Sequence, residues 1–207
     1  MLENIYRHIE DGERPMEVGP LARVLVAYVA GHPRIRQLVD GVLSALSLPY
    51  EAMYSTLGRV AARGIETLAI AEQMGSWLDE LETNINGGDL AIHNGARWEP
   101  STWPAEAVGW GSTEAPRGGL GHWVRIRNGR IDLYQMVVPT TWNGSPRDAR
   151  GQRGAWEQAL IGTPVADSAR PLEILRTVHS FDPCMACAVH LVDPERRELT
   201  HVELDTF

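Results

Sequence analysis

The chain has 207 residues, 43% of them hydrophobic, with a formal net charge of -8 and a pI near 5.4. This length suits a single domain, residues 1–207, and the acidic balance excludes a nucleic-acid binder, which would carry a basic face. The longest apolar run, Val24 to Ala30, is too short for a membrane span, and no secretory signal precedes it. We therefore expect a protein made in the cytoplasm without a signal of its own.

Helical patterns fill the first 86 residues. Residues 1–19 contain mixed charge and two helix breakers, which predicts a short helix and a turn. From Pro20 onward, apolar residues recur at helical spacing up to the break at Gly31, and a second helix carries an apolar face from Ile35 to Leu46. The third helix opens at Pro49 and ends at Asn86.

The third helix is the longest predicted element, at about 30 residues and on the order of 45 Å. Its predicted core face has a period near 3.6 residues. That face consists of Leu57, Val60, Ala61, Leu68, Ala71, Leu78 and Leu81. Arg59 and Arg63 lie four residues apart, so they share a face that we interpret as a solvated edge or a contact to a partner.

Residues 87–121 combine glycine, proline and tryptophan without periodicity. We predict an ordered, irregular segment that lines a site, since tryptophans argue against disorder. Beyond it, Asn128-Gly129 is the strongest short hairpin signal, and it joins strands at 122–127 and 130–138. This hairpin places Arg117 at its entrance and Thr140 at its exit.

Short helices are predicted from about Gln152 to Leu160 and from Pro171 towards Ser180, and Leu199–Leu204 alternates like an edge strand. The predicted fold class is therefore α-rich α+β. It has a helical core with long helices, a small β-hairpin and irregular site-lining loops.

The segment from Asp182 to His190 holds the only two cysteines of the sequence, Cys184 and Cys187, with His190 at the same interval after the second. Thiolates and imidazole are ligands of nickel, zinc, copper and iron, so the spacing indicates a metal. A c-type haem would need the histidine directly after the second cysteine, and a thioredoxin-like redox pair is a weaker alternative. Three donors leave such a site short of ligands.

Four motifs in order resemble the large subunit of nickel-iron hydrogenases, membrane-bound uptake enzymes in particular. They are Pro15–Arg23, Glu114–Trp123, Val137–Asp148 and Asp182–His190. In that family a second Cys-x-x-Cys pair near the N-terminus completes the nickel ligands, and this sequence contains no such pair. We therefore expect an N-terminally truncated copy, a split gene product or a C-terminal fragment.

The resemblance implies a nickel-iron centre whose iron carries cyanide and carbon monoxide. Cys184 would bind nickel terminally and act as the base in heterolytic oxidation of H2, and Cys187 would bridge the two metals. Arg117, oriented by Asp182, would lie over the metals. Arg117, Pro116 and Thr140 are the expected contacts to the cyanide ligands.

The resemblance also implies a magnesium site at His190 and the backbone carbonyl of Met136. Residues 191–207 would form a propeptide, which a maturation endopeptidase removes after nickel chaperones have supplied the metal. Electrons would pass to an iron-sulfur small subunit and indirectly to a membrane cytochrome. The mature complex is expected at the periplasmic side of the cell membrane, held there by its partner.

Two alternatives remain open at this point. The chain could be a truncated, catalytically inactive homologue that binds metal or assists assembly. It could also be a stand-alone zinc or redox module built on Cys184 and Cys187.

Overall fold

The computed structural model describes residues 14–184, 189–192 and 198–202, the last two ranges by their backbone only. Six α-helices lie in this part of the chain: α1 Pro20–Val29, α2 Pro33–Ala45, α3 Thr56–Asn86, α4 Pro139–Asn143, α5 Ala155–Leu160 and α6 Leu172–His179. Single 3-10 turns cover Tyr50–Tyr54 and Pro100–Thr102. The strands are β1 Glu106–Ala115, β2 Gly118–Arg127, β3 Arg130–Val137, β4 Val189–Val192 and β5 Glu198–Val202.

The core lies where α1, α2 and the first half of α3 meet. Its buried residues are Leu21, Val24, Ile35, Val39, Leu43, Met53, Ala62 and Ile65. Pro20 and Pro33 occupy first-turn positions of α1 and α2, where the missing N–H costs nothing. The helical spacing of the apolar residues predicted both helices, and the structure confirms them.

The start of α3 differs from the prediction. Instead of opening at Pro49, the chain makes a 3-10 turn and α3 begins at Thr56, where the Ser55 hydroxyl accepts a hydrogen bond of 3.0 Å from Gly58 N. The turn and the helix lie so close that a Cβ at Gly58 would stand 2.2 Å from the Met53 carbonyl oxygen. Only glycine fits there, and the sequence pattern did not reveal this contact.

The predicted core face of α3 is wrong for the part of the chain that the structure describes. Leu57 is 78% exposed and Leu78 is 64% exposed, whereas the buried residues of the helix are Gly58, Arg59, Ala62 and Ile65. The small residues Gly58 and Ala62 allow the core to approach closely on one side. The large apolar residues point to another side, which the described residues leave open.

The sheet has three antiparallel strands in the order β1-β2-β3. The Asn128-Gly129 hairpin is confirmed, since both residues have the positive φ that its turn requires, 49° and 72°. The irregular segment predicted at 87–121 is wrong in its last part, because β1 pairs with β2 from Ala115 and Gly118 outward. Glycines at alternate positions of β1 hid the strand signal, and pairing with β2 supplies the order that local preference lacks.

The remaining elements are short. α5 begins three residues later than expected, α6 matches the prediction, and α4 was not predicted. β5 covers most of the expected edge strand and pairs with β4. The helix expected within residues 1–19 falls mainly on residues outside the described ranges. No helix among the described residues has the length and hydropathy of a membrane span.

The mixed architecture of helices and a small sheet agrees with the predicted α+β class. The sheet is larger by one strand than the hairpin that the sequence indicated.

Candidate metal centre

The loop between β1 and β2 meets the segment that follows α6. Pro116 and Arg117 connect β1 to β2, and the Arg117 Nε lies 3.1 Å from an Asp182 carboxylate oxygen. Both side chains are partly exposed, at 51% and 38%. The guanidinium and the carboxylate form an ion pair at this distance, so Asp182 favours positions of the Arg117 side chain that keep the two charges together.

Thr140, in α4 directly after β3, contacts the same segment after α6. Its hydroxyl oxygen accepts a hydrogen bond of 3.3 Å from the backbone N–H of Cys184. The Cys184 thiol is free and exposed. The structure therefore brings Arg117, Asp182, Thr140 and Cys184 together, although the first and the last lie 67 positions apart in the chain.

Backbone strain marks the segment that carries Asp182. This residue has φ 55°, in the left-handed region that only a few non-glycine residues enter, aspartate among them. The Asp182 N–H donates to the His179 carbonyl at 2.9 Å, directly after α6. The left-handed turn redirects the chain from the helix end towards Cys184.

The helix end is anchored to α3 by two arginines. The Arg59 guanidinium donates two hydrogen bonds of 2.8 Å to the Glu17 carboxylate and lies 4.0 Å from the centre of the Phe181 ring. The Arg63 guanidinium donates to the Ser180 carbonyl at 3.2 Å. The interpretation of Arg59 and Arg63 as a solvated edge is therefore wrong, because both bind groups within this chain.

A third arginine holds the loop that carries Arg117. Arg23 in α1 donates hydrogen bonds to the carbonyl oxygens of Ala115 and Pro116 and also binds Glu66 and Glu114. Sequence reasoning assigned no role to Arg23, even though it lies in one of the four motifs. Its partners are 43 to 93 positions away, so no local pattern could have identified it.

The other predicted residues are placed less fully. Pro116 lies in the loop before Arg117, and its carbonyl oxygen faces Arg23. Met136 lies in β3 opposite His122, and His190 lies in β4 opposite His201. Cys187 lies outside the described residues. Within the described ranges, no three histidine, cysteine or acidic residues gather as a metal site.

The chemistry of the described donors fits a thiolate-bound metal in part. Cys184 offers an accessible sulfur, and a positively charged guanidinium and a hydroxyl lie in the same corner of the structure. Soft thiolates select nickel, iron, zinc or copper(I) over magnesium or calcium. The Cys184 thiol can therefore serve as one ligand of such a metal.

Comparisons with known proteins give the family. A model of nickel-dependent hydrogenases matches residues 11–190. The Hydrogenase-1 large chain of Escherichia coli K12 is 53% identical over 189 residues, and the uptake hydrogenase large subunit of Bradyrhizobium diazoefficiens is 51% identical over 189 residues. Each alignment covers 91% of this chain and 32% of the relative. The chain therefore belongs to the nickel-dependent hydrogenase family.

Solved structures agree with this assignment. The reduced Ni-Fe-Se hydrogenase of D. vulgaris Hildenborough is 35% identical and superimposes with a TM-score of 0.61 over 82% of this chain and 34% of that one. The [NiFeSe] hydrogenase of Dm. baculatum gives a TM-score of 0.58 at 34% identity. The chain spans about a third of the length of its relatives.

Proposed function

We propose that this chain contributes part of a nickel-iron centre that oxidises H2, as a portion of a hydrogenase large subunit. The observation that carries this proposal is the convergence of the Arg117–Asp182 pair with Thr140 and Cys184. Membership of the family supplies the class of reaction. The contacts supply the residues that would take part.

Cys184 and Cys187 would hold the metals as thiolates. When bound, a nickel-iron group supplies the site at which H2 is cleaved heterolytically. The Cys184 sulfur is the proposed base, since a metal-bound thiolate has a basicity suited to accepting a proton near neutral pH. Its exposure leaves room for that proton to move on to water or to another acceptor.

Arg117 would act from above the metals. Its guanidinium is a rigid fork of donors that remains charged, so it suits a cyanide ligand on one side while Asp182 holds it on the other. Pro116 fixes the backbone before it and would contribute an apolar contact to the same ligand. The Arg117 guanidinium would place a fixed positive charge beside the metals, where it could stabilise negative charge on the cyanide ligands.

Thr140 would serve the second cyanide ligand. Its hydroxyl oxygen accepts from the Cys184 N–H, so its own hydrogen remains free to donate. The same hydrogen bond sets the direction in which the Cys184 side chain leaves the backbone. Magnesium at His190 and the Met136 carbonyl remains a further part of the proposal.

Partners follow from the chemistry. The sequence has only two cysteines, both used by the proposed centre, so electrons would leave through an iron-sulfur small subunit and then a membrane cytochrome. Nickel chaperones and an endopeptidase that cuts before Leu191 are the proposed maturation partners. We place the complex at the periplasmic side of the membrane by its likeness to uptake hydrogenases.

Metal and infrared analysis tests the proposal. The chain is produced together with the portion of the E. coli Hydrogenase-1 large chain that it does not cover, in nickel-fed cells that mature their own uptake hydrogenase. We expect the assembly to carry nickel and iron with cyanide and carbon monoxide bands. Cys184→Ala should lose the nickel. Zinc alone would contradict the proposal and support a stand-alone Cys-x-x-Cys module.

A matched pair of variants tests the contact of Thr140. Thr140→Val should shift the cyanide stretching bands, because the hydroxyl donor is gone. Thr141 is the neighbouring residue, and its side chain is exposed. Thr141→Val removes that hydroxyl and should leave the cyanide bands unshifted. Equal shifts in both variants would contradict the role of Thr140.

The second candidate is an inactive homologue that assists assembly. The observation that favours it is that the sequence holds only two cysteines, one of the two Cys-x-x-Cys pairs that the family resemblance implies for nickel. A chain that carries no metal but binds other hydrogenase polypeptides would support this candidate.

A further inference from the structure

We propose that Arg23 is the positioning residue for Arg117, which it holds through hydrogen bonds to the two preceding carbonyl groups. The inference rests on the proposed role of Arg117 at the metal centre. It adds a residue of α1 that lies outside that centre.

The loop that carries Arg117 needs support from outside. Ala115 pairs with Gly118, so Pro116 and Arg117 form a two-residue hairpin loop. The favoured loops of this length need a positive φ at their first residue, which proline cannot adopt. Arg117 is also absent from the positive-φ residues of the described chain. The loop therefore lacks the turn geometry that matches the twist of its strands.

Arg23 supplies that support with its whole guanidinium. All five of its N–H groups have acceptors. Two bonds go to the Glu66 carboxylate in α3 and one to Glu114, at 2.7 Å, in β1. The last two go to the carbonyl oxygens of Ala115, at 3.0 Å, and Pro116, at 2.9 Å.

Glu66 keeps the guanidinium of Arg23 in this orientation. The hydrogen bond to Glu66 raises the pKa of the Arg23 guanidinium, which is charged at neutral pH without this contact. The two side chains are 24% and 18% exposed, which limits competition from water. A bidentate pair fixes the plane of the guanidinium, and the plane decides which carbonyls it reaches.

The opposite side of the loop rests on Val18 and Gly19. A Cβ at Gly19, where φ is 115°, would stand 2.7 Å from the Arg117 carbonyl oxygen. Val18 itself is fixed by the Asn143 side chain, which accepts from its N–H at 2.9 Å and donates to its carbonyl at 3.0 Å. The Arg117 backbone therefore lies between Arg23 and the Val18–Gly19 segment.

The Arg117–Asp182 pair is too exposed to hold the loop by itself. Ion pairs between half-exposed side chains contribute little, since water and side-chain entropy compete with them. The backbone must be in place first, and the guanidinium then reaches Asp182. This order makes Arg23 the cause of the Arg117 geometry.

NMR on the full chain tests the placement. The Arg117 Nε–H signal is identified by its loss in Arg117→Lys, and its unpaired position is taken from Asp182→Asn. We expect Arg23→Gln to move the wild-type signal to that unpaired position. Arg23→Lys keeps the charge but not the five-donor fork, so it should cause the same shift while the protein stays folded.

The control is Arg34→Gln. Arg34 also makes a bidentate pair with a glutamate of α3, Glu72, but its described contacts do not reach the loop. This variant should leave the Arg117 signal unmoved. An unchanged Arg117 signal in folded Arg23→Lys would overturn the proposal, even if Arg23→Gln failed to fold.

An activity measurement separates this inference from the proposed function. In the nickel-loaded complex with its partner subunits, Arg23→Lys should lower kcat for H2 oxidation on the order of 10²-fold with KM unchanged, since misplacement by about 1 Å costs that much. Arg34→Gln should leave both unchanged. Loss of the NMR contact with an unchanged kcat would refute the positioning role, whereas an inactive wild type would refute the proposed function alone.

Discussion

The two halves of α3 differ in burial and in the contacts that they make. The first half, up to Ala69, packs against α1, α2 and the 3-10 turn and anchors α6 through Arg59 and Arg63. The second half is exposed at every residue from Ile70 to Asn86. The first half of α3 therefore supports the segment that carries Asp182 and Cys184, whereas the second half is an exposed surface.

The exposed half is not polar. Ile70, Met74, Trp77, Leu81 and Ile85 follow one another at spacings of three and four residues, which places them along one face. Each is between 47% and 54% exposed. A long apolar stripe on a helix is typical of a surface that another polypeptide covers, and this chain spans about a third of its relatives.

The largest expected effect lies in the buried half. Arg59→Ala should destabilise the chain by about 3–5 kcal/mol, because it leaves the Glu17 carboxylate partly buried without its partner. The Phe181 contact is lost as well. Urea unfolding measures the change. Arg34→Ala removes the equivalent pair near the exposed half and should cost less than about 1 kcal/mol, so equal losses would contradict the comparison.

The next effect compares two methionines. Met53→Ala should cost about 2–5 kcal/mol, since the side chain is 1% exposed and its loss leaves a cavity. Met74→Ala, at 52% exposure, should change the free energy of unfolding by less than about 0.5 kcal/mol. A large cost at Met74 would mean that the second half of α3 is already covered.

A smaller effect concerns acid. The hydrogen bond from Arg34 holds the pKa of Glu72 below its ordinary value of 4.5. Because the folded pKa is the lower one, the pair stabilises the chain above about pH 4.5 and loses this contribution as pH falls through the folded pKa. Melting temperatures of wild type and Glu72→Gln should therefore differ at pH 7 and converge on acidification. A gap that widens in acid would refute this sign.

The smallest effect on stability comes from the stripe. Trp77→Gln with Leu81→Gln should leave the melting temperature of the chain unchanged, because both residues are about half exposed. The same variant should lose binding to the portion of the E. coli Hydrogenase-1 large chain that this chain does not cover.

Asp79→Gln with Thr83→Gln, on the far side of the helix, is the control for the stripe. Binding that survives in the stripe variant, or that is lost equally in the control, would show that the stripe is not the surface that the other polypeptide covers.

Local patterns predicted the elements better than their surroundings. Helical spacing identified α1 and α2, and Asn128-Gly129 identified the β2–β3 hairpin, since both signals depend on neighbours in sequence. The face of α3 was predicted wrongly because periodicity shows that apolar residues line up and does not show what covers them. Here two apolar sides compete, and small residues decide which one the core takes.

For the candidate site, too, the sequence predicted residues but not all of their contacts. Its residues were predicted from a resemblance of motifs, and the structure adds the contacts of Arg117 with Asp182 and of Thr140 with Cys184. Arg59 was misread because a charged residue on a helix is usually exposed, and its partner Glu17 is 42 positions away. Arg23 gave no local signal for the same reason. The predicted role of Cys187 concerns a residue outside the described ranges.

Asn143 has a consequence for the chemical lifetime of the protein. It is 2% exposed and precedes Gly144. Its side chain binds both the N–H and the carbonyl of Val18. An asparagine before glycine is the sequence most prone to deamidation, because the next nitrogen can attack the side-chain amide. Here that nitrogen donates to the Thr140 carbonyl at 2.8 Å, so the folded helix end protects the amide. Deamidation during local opening would place a carboxylate against the Val18 carbonyl, and ageing of the protein would then loosen the support of Arg117.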